Sequence, residues 1–441
     1  MRTLPVAFAL LAGLSLAATA ADPKPYAVPV SLQVDQVEPV LTVGEKSRGY
    51  ALEGALAGLA TAPGDRGKFR LLVAHAFAPG QGPGGVPVSS WDVKAYTDEQ
   101  GLLPVVTSGG DAARKVVEAT DGKKAPPAYL HAVCAAGAPE GFDRPVLLAG
   151  EECGGGRAWA LADGRAYPLP AMGSFPKGGL AVLDGTGDAT VLVLTEASPT
   201  GGPDSRVFVY VGKKSGGDEV LARNGLSGGA LFAVAVKGQP TESGLKKGQS
   251  YRFDLAPVTP GAGAAAGTGF VLLGGVCQDP SRPKTVYLAA VGSEARGRDG
   301  RLLDHNGRLY ALTFDDPSRP QAGGTLEVAL SGVEGVIGPS ALAMDSRGRL
   351  VVGEAPTFPT PGRDTSLWLF EPRTGALTRL LEVNPGATGR GSEPGSWTIG
   401  GVADASAVMG SGAWLVTIRT GEPLRDAKLV EDGQVVAVHL R

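Results

Sequence analysis

Residues 206–212 read RVFVYVG, and residues 191–196, a short way before them, read VLVLTE. In the first stretch, valine at every second position alternates with an aromatic residue. Period two is the repeat of a β-strand, whose successive side chains point to opposite faces. The segment between the stretches, ASPTGGPDS, consists largely of the residues that favour turns. The two stretches therefore predict two strands joined by a turn-rich loop.

The same pattern recurs along the chain as short apolar runs bounded by Gly, Pro, Asp or Ser. Examples are FRLLVAHAF (69–77), PVLLAG (145–150), TVYLAAV (285–291), RLYALTF (308–314), RLVVGEA (349–355), SLWLFE (366–371) and AWLVTI (413–418). The 441 residues include 67 Gly and 34 Pro. Each Gly costs a helix interior about 1 kcal/mol and each Pro about 3 kcal/mol, which argues against a helical protein. With 43% hydrophobic and 19% charged residues, the chain has enough apolar surface to fold. We expect an all-β protein.

Two repeated phrases suggest how the strands are arranged. The turn DPSRP occurs at 279–283 and again at 316–320, and strands that open with Gly-Arg-Leu begin at 307 and 348. Repeated strand–turn–strand meanders form a propeller when they stack radially and a sandwich when they pack face to face. The spacing alone leaves both open, and the length suits six or seven blades with long loops.

The first twenty residues are typical of an export signal, with a positive start, an apolar core and a small-residue cleavage site at Ala18-Thr19-Ala20. We expect a signal peptide over 1–20, a single domain over 21–441, and a periplasmic or extracellular protein. A membrane anchor is the alternative for this segment, and no transmembrane segment is expected after its removal. The net charge of −3 offers no basic surface for nucleic acid. We expect a monomer.

The candidates for chemistry lie mainly between residues 130 and 212. Gly225-Leu226-Ser227-Gly228-Gly229 fits the G-x-S-x-G motif, but a strand-like run follows it, which favours an ordinary turn. Cys134, the pair Glu151-Glu152 and Glu196 are possible metal ligands, because thiolates suit transition metals and carboxylates suit calcium or iron. Spacing alone favours the alternative, a buried cysteine and solvated acids.

Longer phrases resemble a known family. They are GRAWA (156–160), AYPLPAMGSF (166–175), VLARNGLSGGALFAV (220–234), GRLYALTFDDPSRPQAGGTLEVAL (307–330) and SALAMDSRGRLVVGEA (340–355). In this order, and over about residues 38–420, the chain is similar to the PhoX-like family of bacterial secreted alkaline phosphatases. The resemblance implies a six-bladed β-propeller that hydrolyses phosphomonoesters at a cluster of iron and calcium ions, at one mouth of the central channel.

The resemblance also implies four metal ligands. Cys134 matches the iron-binding cysteine of the family, and Glu152 is the candidate in the Glu-Glu pair. Glu196 and Glu354 each match the first residue of an acidic pair whose second residue is alanine here. Arg157 is a candidate for binding phosphate, with a solvent-exposed arginine as the alternative. Cys134 and Cys153 are either free thiols or a disulfide pair, and we favour free thiols.

At other positions where the family has acids or amides, this chain has neither. These positions read Ala74-His75-Ala76, Lys177-Gly178, Leu273-Gly274, Ser340-Ala341 and Ser396-Trp397-Thr398. Because calcium alone takes six to eight oxygen ligands, the residues that remain cannot hold a mixed cluster. They could hold one ion of iron or calcium, or none. Phosphoryl chemistry of this kind needs several metals, so we expect a catalytically impaired propeller.

The sequence therefore leaves three functions open. The first is a binding protein for a small phosphorylated molecule or a component of the cell envelope. The second is an active secreted phosphoesterase that uses a reduced set of metals. The third is a structural repeat protein of the cell surface.

Overall fold

The computed structural model describes residues 24–441 except 66, 99–100, 118–125, 138–139, 199, 201, 259–266, 295–304, 359, 361–362 and 389–395. The predicted signal peptide lies outside the described residues. Among those described, no helix is long and apolar enough to cross a membrane.

The N-terminal part of the chain forms short strands and then a first antiparallel meander, which we call blade 1. The strands before it are β1 (Ala27–Pro29), β2 (Val34–Thr42), β3 (Lys46–Ser47) and β4 (Tyr50–Ala51). Blade 1 consists of β5 (Leu56–Pro63), β6 (Phe69–His75), β7 (Val88–Asp98) and β8 (Gly101–Asp111), and β9 (Lys115–Val116) follows.

Blades 2 and 3 repeat the four-stranded meander. Blade 2 consists of β10 (Leu130–Ala136), β11 (Val146–Glu151), β12 (Ala158–Ala162) and β13 (Arg165–Pro168). Blade 3 consists of β14 (Lys177–Val182), β15 (Ala189–Glu196), β16 (Val207–Lys213) and β17 (Gly229–Val236). The next strand, β18 (Ser250–Pro257), pairs with the outermost strand of blade 3 and with that of blade 4, β22.

Blades 4, 5 and 6 complete the set. Blade 4 consists of β19 (Leu273–Gln278), β20 (Thr285–Ala290), β21 (Arg308–Phe314) and β22 (Gly324–Ser331). Blade 5 consists of β23 (Pro339–Met344), β24 (Leu350–Glu354), β25 (Ser366–Glu371) and β26 (Ala376–Val383), with β1 added at its outer edge. Blade 6 consists of β27 (Thr398–Asp404), β28 (Ala413–Pro423), β29 (Glu431–Leu440) and the N-terminal strand β2.

Helices are short and few in the described chain. They are α1 (Val220–Arg223), α2 (Ser406–Met409) and the 3-10 turns Pro170–Met172, Glu242–Gly244, Pro320–Ala322 and Pro385–Thr388.

The first strands of the meanders form a ring. The first strand of each meander contacts the first strand of the next, and the last of them, β27, contacts the first, β5. In chain order these strands are β5, β10, β14, β19, β23 and β27. This radial order is that of a propeller and excludes the sandwich, so the predicted all-β propeller is confirmed. The six meanders of the described residues support the predicted number of blades.

The apolar core is divided among the interfaces between neighbouring blades. One cluster joins Leu148 of blade 2 to Leu192 of blade 3, and others fill the interfaces that follow around the ring. Each blade therefore buries both faces, which explains why strands such as β11 and β14 are buried along their whole length. The near-continuous apolar runs of the sequence follow from this double burial.

Glycines allow the first strands to approach one another closely around the axis. A Cβ at Gly178 would lie 2.3 Å from the carbonyl oxygen of Leu273, in the next blade. A Cβ at Gly401 would lie 2.7 Å from the oxygen of Ala57, and one at Gly58 would lie 2.6 Å from that of His131. Backbone thus packs directly against backbone, and no side chain larger than hydrogen fits at these points.

Threonine hydroxyls tie second strands to the neighbouring first strands. Thr195 of β15 donates a hydrogen bond to the carbonyl oxygen of Gly274 (2.5 Å), and Thr417 of β28 donates one to that of Ala57 (2.7 Å). Both threonines are completely buried. The bonds satisfy carbonyls that the irregular pairing at the start of these first strands leaves outside the ladder.

We predict that Gly178→Ala destabilises the fold by about 1–3 kcal/mol, because the added methyl group forces two first strands apart. Urea unfolding followed by circular dichroism measures the loss. The matched control is Gly216→Ala, since nothing lies within 4 Å of a Cβ at that position. Equal stabilities of the two variants would contradict the tight closure of the ring.

Candidate functional site

The predicted acidic residues lie on one rim of the propeller. Strand β11 ends at Glu151, β15 at Glu196 and β24 at Glu354. Each pairs with the residue that begins the first strand of its own blade, so all three lie where first strands begin and second strands end. We call this end of the molecule the rim. The prediction that these acids share one mouth of the channel is consistent with this placement.

Glu354 is completely buried, and the protein itself satisfies its carboxylate. Arg363 contacts both carboxylate oxygens through Nη1 and Nη2, each at 2.6 Å. The backbone N–H groups of Ile337 and Ser366 and the indole N–H of Trp368 donate three further hydrogen bonds at 2.8–2.9 Å. A metal ion could bind Glu354 only after these bonds were broken, so the geometry argues against its predicted role as a ligand.

Glu151 makes an equivalent set of contacts in blade 2. Its carboxylate accepts hydrogen bonds from the backbone N–H of Ala128 (2.9 Å) and of Arg157 (2.7 Å). The guanidinium of Arg157 bonds both carboxylate oxygens at 3.0 Å and stacks on Trp159, with Cζ 4.4 Å from the ring centroid. Arg157 was the predicted phosphate-binding residue, and this geometry favours a structural role for it instead.

The two arrangements share one design, which we call the rim clamp. A glutamate at the end of a second strand receives a backbone N–H from two residues before the first strand and another from the start of the third strand. An arginine neutralises it, and a tryptophan of the third strand stacks beside the arginine. In the sequence the clamp is visible only as the order Glu-Arg-Trp, as in Glu151, Arg157 and Trp159.

A histidine takes the same position in blade 1. His75 is completely buried at the end of β6, with Nδ1 2.9 Å from the Gly54 carbonyl oxygen and Nε2 2.9 Å from Ser89 Oγ. Because a carbonyl oxygen only accepts, Nδ1 carries the proton, and Ser89 donates to Nε2 of the neutral ring. Burial lowers the pKa of His75 to about 4, which keeps the ring neutral.

Glu152, the predicted ligand in the Glu-Glu pair, is the acid that remains open to solvent. Its side chain is 36% exposed, and Oε2 lies 3.5 Å from Nδ1 of His131. His131 also lines the small cavity at the channel axis. The sequence did not single out His131, because an isolated histidine carries no recognisable spacing.

Glu196 lies directly opposite Lys177 in the pairing of β14 with β15. Burial raises the pKa of Glu196, and the charges of Arg206 and Lys177 oppose that rise. Lys177 is itself completely buried. Burial lowers its pKa to about 7, while Glu151 and Glu196 favour its charged form.

Cys134 differs from the other candidates because its surroundings are apolar. It packs against the apolar cluster between blades 2 and 3, and burial raises the pKa of its thiol to about 11. A thiol is a poor metal ligand until it loses its proton. Cys134, Cys153 and Cys277 are all free, as favoured from the sequence.

The channel leaves little room for a metal cluster. The cavity at its axis measures about 50 Å³ and is lined mainly by backbone and small residues of the first strands, such as Gly179, Gly275 and Gly400. In the part of the chain that the structure describes, no three side chains of His, Cys, Asp or Glu are grouped to hold a metal ion. The predicted set of Cys134, Glu152, Glu196 and Glu354 is therefore not grouped as one metal site, and these residues do not fit the cluster of iron and calcium ions that the resemblance implies.

No protein-family model and no curated protein matches the chain. Among solved structures, Pseudomonas fluorescens PhoX in complex with vanadate, a transition state analogue, aligns with a TM-score of 0.68 at 12% identity, over 94% of this chain and 97% of that one. An α-L-arabinanase of Penicillium chrysogenum gives a TM-score of 0.46 at 11% identity, over 92% and 98% of the two chains. At this identity the likeness to PhoX shows the fold alone.

We predict that Glu354→Gln destabilises the protein by about 3–5 kcal/mol, because it leaves Arg363 beside a neutral partner in a largely buried site. Thermal and urea unfolding measure the effect. Lys237→Met is the control, since it breaks an exposed ion pair with Asp254 and should change stability by less than about 1 kcal/mol. A variant as stable as wild type would show that the clamp contributes nothing.

We also predict that His75 makes the fold sensitive to acid. Below pH ~6.5 the unfolded chain binds a proton at His75, whereas the folded chain binds none until about pH 4. Stability is therefore lost as the pH falls through this window, by up to about 3 kcal/mol. Urea unfolding at pH 7.5 and pH 4.5 should show a smaller loss for His75→Gln than for wild type, and equal losses would refute the prediction.

Proposed function

We propose that this chain is an exported propeller with a PhoX-like fold that does not hydrolyse phosphate esters and instead binds a ligand at its rim. The observation that carries the proposal is the rim clamp, in which the chain's own arginines bind Glu151 and Glu354. Acids that are neutralised from within the chain cannot neutralise metal ions.

The number of anionic ligands that a group of catalytic metal ions needs supports the same conclusion. Catalysis by several metals needs ions that clamp the phosphate and prepare the attacking oxygen. Divalent cations in such a group need many oxygen ligands, most of them anionic. Of the four predicted ligands, Glu354 is bound to Arg363 and Cys134 packs in an apolar cluster, so two acids of the set remain.

One surface that a ligand can reach is the rim of blade 2. Glu152 is partly exposed there, and His131 reaches from beside it to the channel cavity. A carboxylate and an imidazole side by side can accept and donate hydrogen bonds to a polar molecule. We propose a polar component of the cell envelope as the ligand, because the negative charge of Glu152 disfavours a small phosphorylated molecule at this point. We propose that the protein acts in the periplasm or outside the cell as a monomer.

The second candidate is an active secreted phosphoesterase with a reduced metal set. The observation in its favour is that neither Glu152 nor Glu196 is hydrogen-bonded to an arginine through its carboxylate in the described contacts, in contrast to Glu151 and Glu354. A metal analysis of the purified protein separates the two candidates, since two or more tightly bound ions per chain would favour the enzyme.

We predict no turnover of p-nitrophenyl phosphate above background, with or without added iron and calcium, and an unchanged melting temperature in EDTA. A PhoX phosphatase assayed in parallel confirms that the metals are supplied correctly. Robust metal-dependent activity that Glu152→Ala abolishes would overturn the proposal. Activity that survives in Glu152→Ala would point to a contaminating phosphatase.

A further inference from the structure

Lys177 has an unusual environment at the rim between blades 2 and 3. It begins β14, yet its side chain is completely buried. The stem of the side chain passes over Gly150 of β11, where a Cβ would lie 2.6 Å from the Cβ of Lys177. Blade 2 therefore provides the space that admits this lysine.

Three carbonyl oxygens converge on the amino group of Lys177. Nζ lies 3.0 Å from the oxygen of Gly156, 3.1 Å from that of Gly173 and 2.9 Å from that of Phe175. The ring of Phe175 covers a further side, with its centroid 3.5 Å from Nζ. An ammonium has three protons to donate, so each carbonyl receives one and all three bonds need the charged form.

Backbone hydrogen bonds that do not involve the lysine join two of the segments that carry these carbonyls. Phe175 N–H donates to the Gly156 oxygen (2.9 Å), and Gly156 N–H donates to the Cys153 oxygen (2.8 Å). Gly156 leaves no room for a side chain, since a Cβ there would lie 2.3 Å from the Glu151 oxygen. The segments of Gly156 and Phe175 therefore have backbone contacts of their own, which help to position their oxygens.

The surrounding charges favour a cation at the same point. Glu151 and Glu196 both act on Lys177 as negative charges, and burial strengthens their effect. Arg157 neutralises Glu151, whereas the carboxylate of Glu196 accepts no hydrogen bond from an arginine in the described contacts. Carbonyl oxygens that converge beside a carboxylate form the kind of donor set that replaces the hydration shell of a cation.

We propose that the rim between blades 2 and 3 is a cation site that the chain fills with its own Lys177 ammonium. The oxygen distances of 2.9–3.1 Å match an ammonium-sized monovalent cation and exceed the 2.3–2.6 Å that calcium prefers. Loss of the ammonium therefore opens a site for potassium, ammonium or methylammonium. This inference concerns the cage alone and holds whether or not the protein is an enzyme.

The test compares Lys177→Ala, which empties the cage, with Lys177→Met, which removes the charge but fills the volume. Melting temperatures are measured in potassium, ammonium, methylammonium, calcium and choline chloride at one ionic strength. We expect Lys177→Ala to melt several degrees below wild type and to be restored, at least by half, by the ammonium-sized cations. We expect wild type and Lys177→Met to respond equally to all the salts.

A response of Lys177→Ala that is the same in choline as in potassium would overturn the proposal, since it would show that water alone fills the cage. A melting temperature of Lys177→Met equal to that of wild type would also overturn it, because the cage would then not need a charge. If Lys177→Ala does not fold in choline, recovery of folded protein on refolding in methylammonium is measured instead, and no recovery counts against the site. Phosphatase assays have no part in this test, so its failure is distinguishable from failure of the proposed function.

Discussion

The contact of backbone with backbone around the central axis is the constraint on which the rest of the structure depends. Gly178, Gly275 and Gly401 let adjacent first strands approach until a Cβ would clash with a neighbouring carbonyl oxygen. This approach sets the angle between blades and thereby the width of each apolar cluster between them. It also leaves a cavity of only about 50 Å³ at the axis.

The charges at the rim follow from that closure. Glu151 and Glu354 are buried at the rim. Each buried carboxylate needs a partner, because an unpaired buried charge is strongly unfavourable. Arg363 partners Glu354, Arg157 partners Glu151, and the ammonium of Lys177 lies among the remaining negative groups. In blade 1 a neutral histidine occupies the equivalent place, so that blade needs no counter-ion.

The sequence predicted the fold well because both faces of each blade are buried, which produces apolar runs that turn residues separate. Two of the acids also lie at the end of apolar runs that the sequence marks as strands, Glu196 in 191–196 and Glu354 in 349–355. The sequence could not predict which carboxylates are neutralised, because the order Glu-Arg-Trp has no fixed spacing. Glu354 and Arg363 meet only because a loop returns between β24 and β25, and no spacing rule links them. In the sequence Lys177 stands out only as a position without the expected acid. Its three carbonyl partners are set by backbone geometry that leaves no pattern in the sequence.

Glycine explains why the site was harder to predict than the fold. The sequence does not distinguish a glycine in a turn from a glycine at the axis. Only the structure shows that Gly216 has space for a side chain, whereas Gly178 packs against the next blade. The distinction has a chemical consequence. An acid at position 178 would place its Cβ 2.3 Å from the carbonyl oxygen of Leu273 in the next blade, so it could be accommodated only if the first strands separated. At this position the tight closure of the ring therefore leaves no room for an acidic side chain that could bind a metal ion.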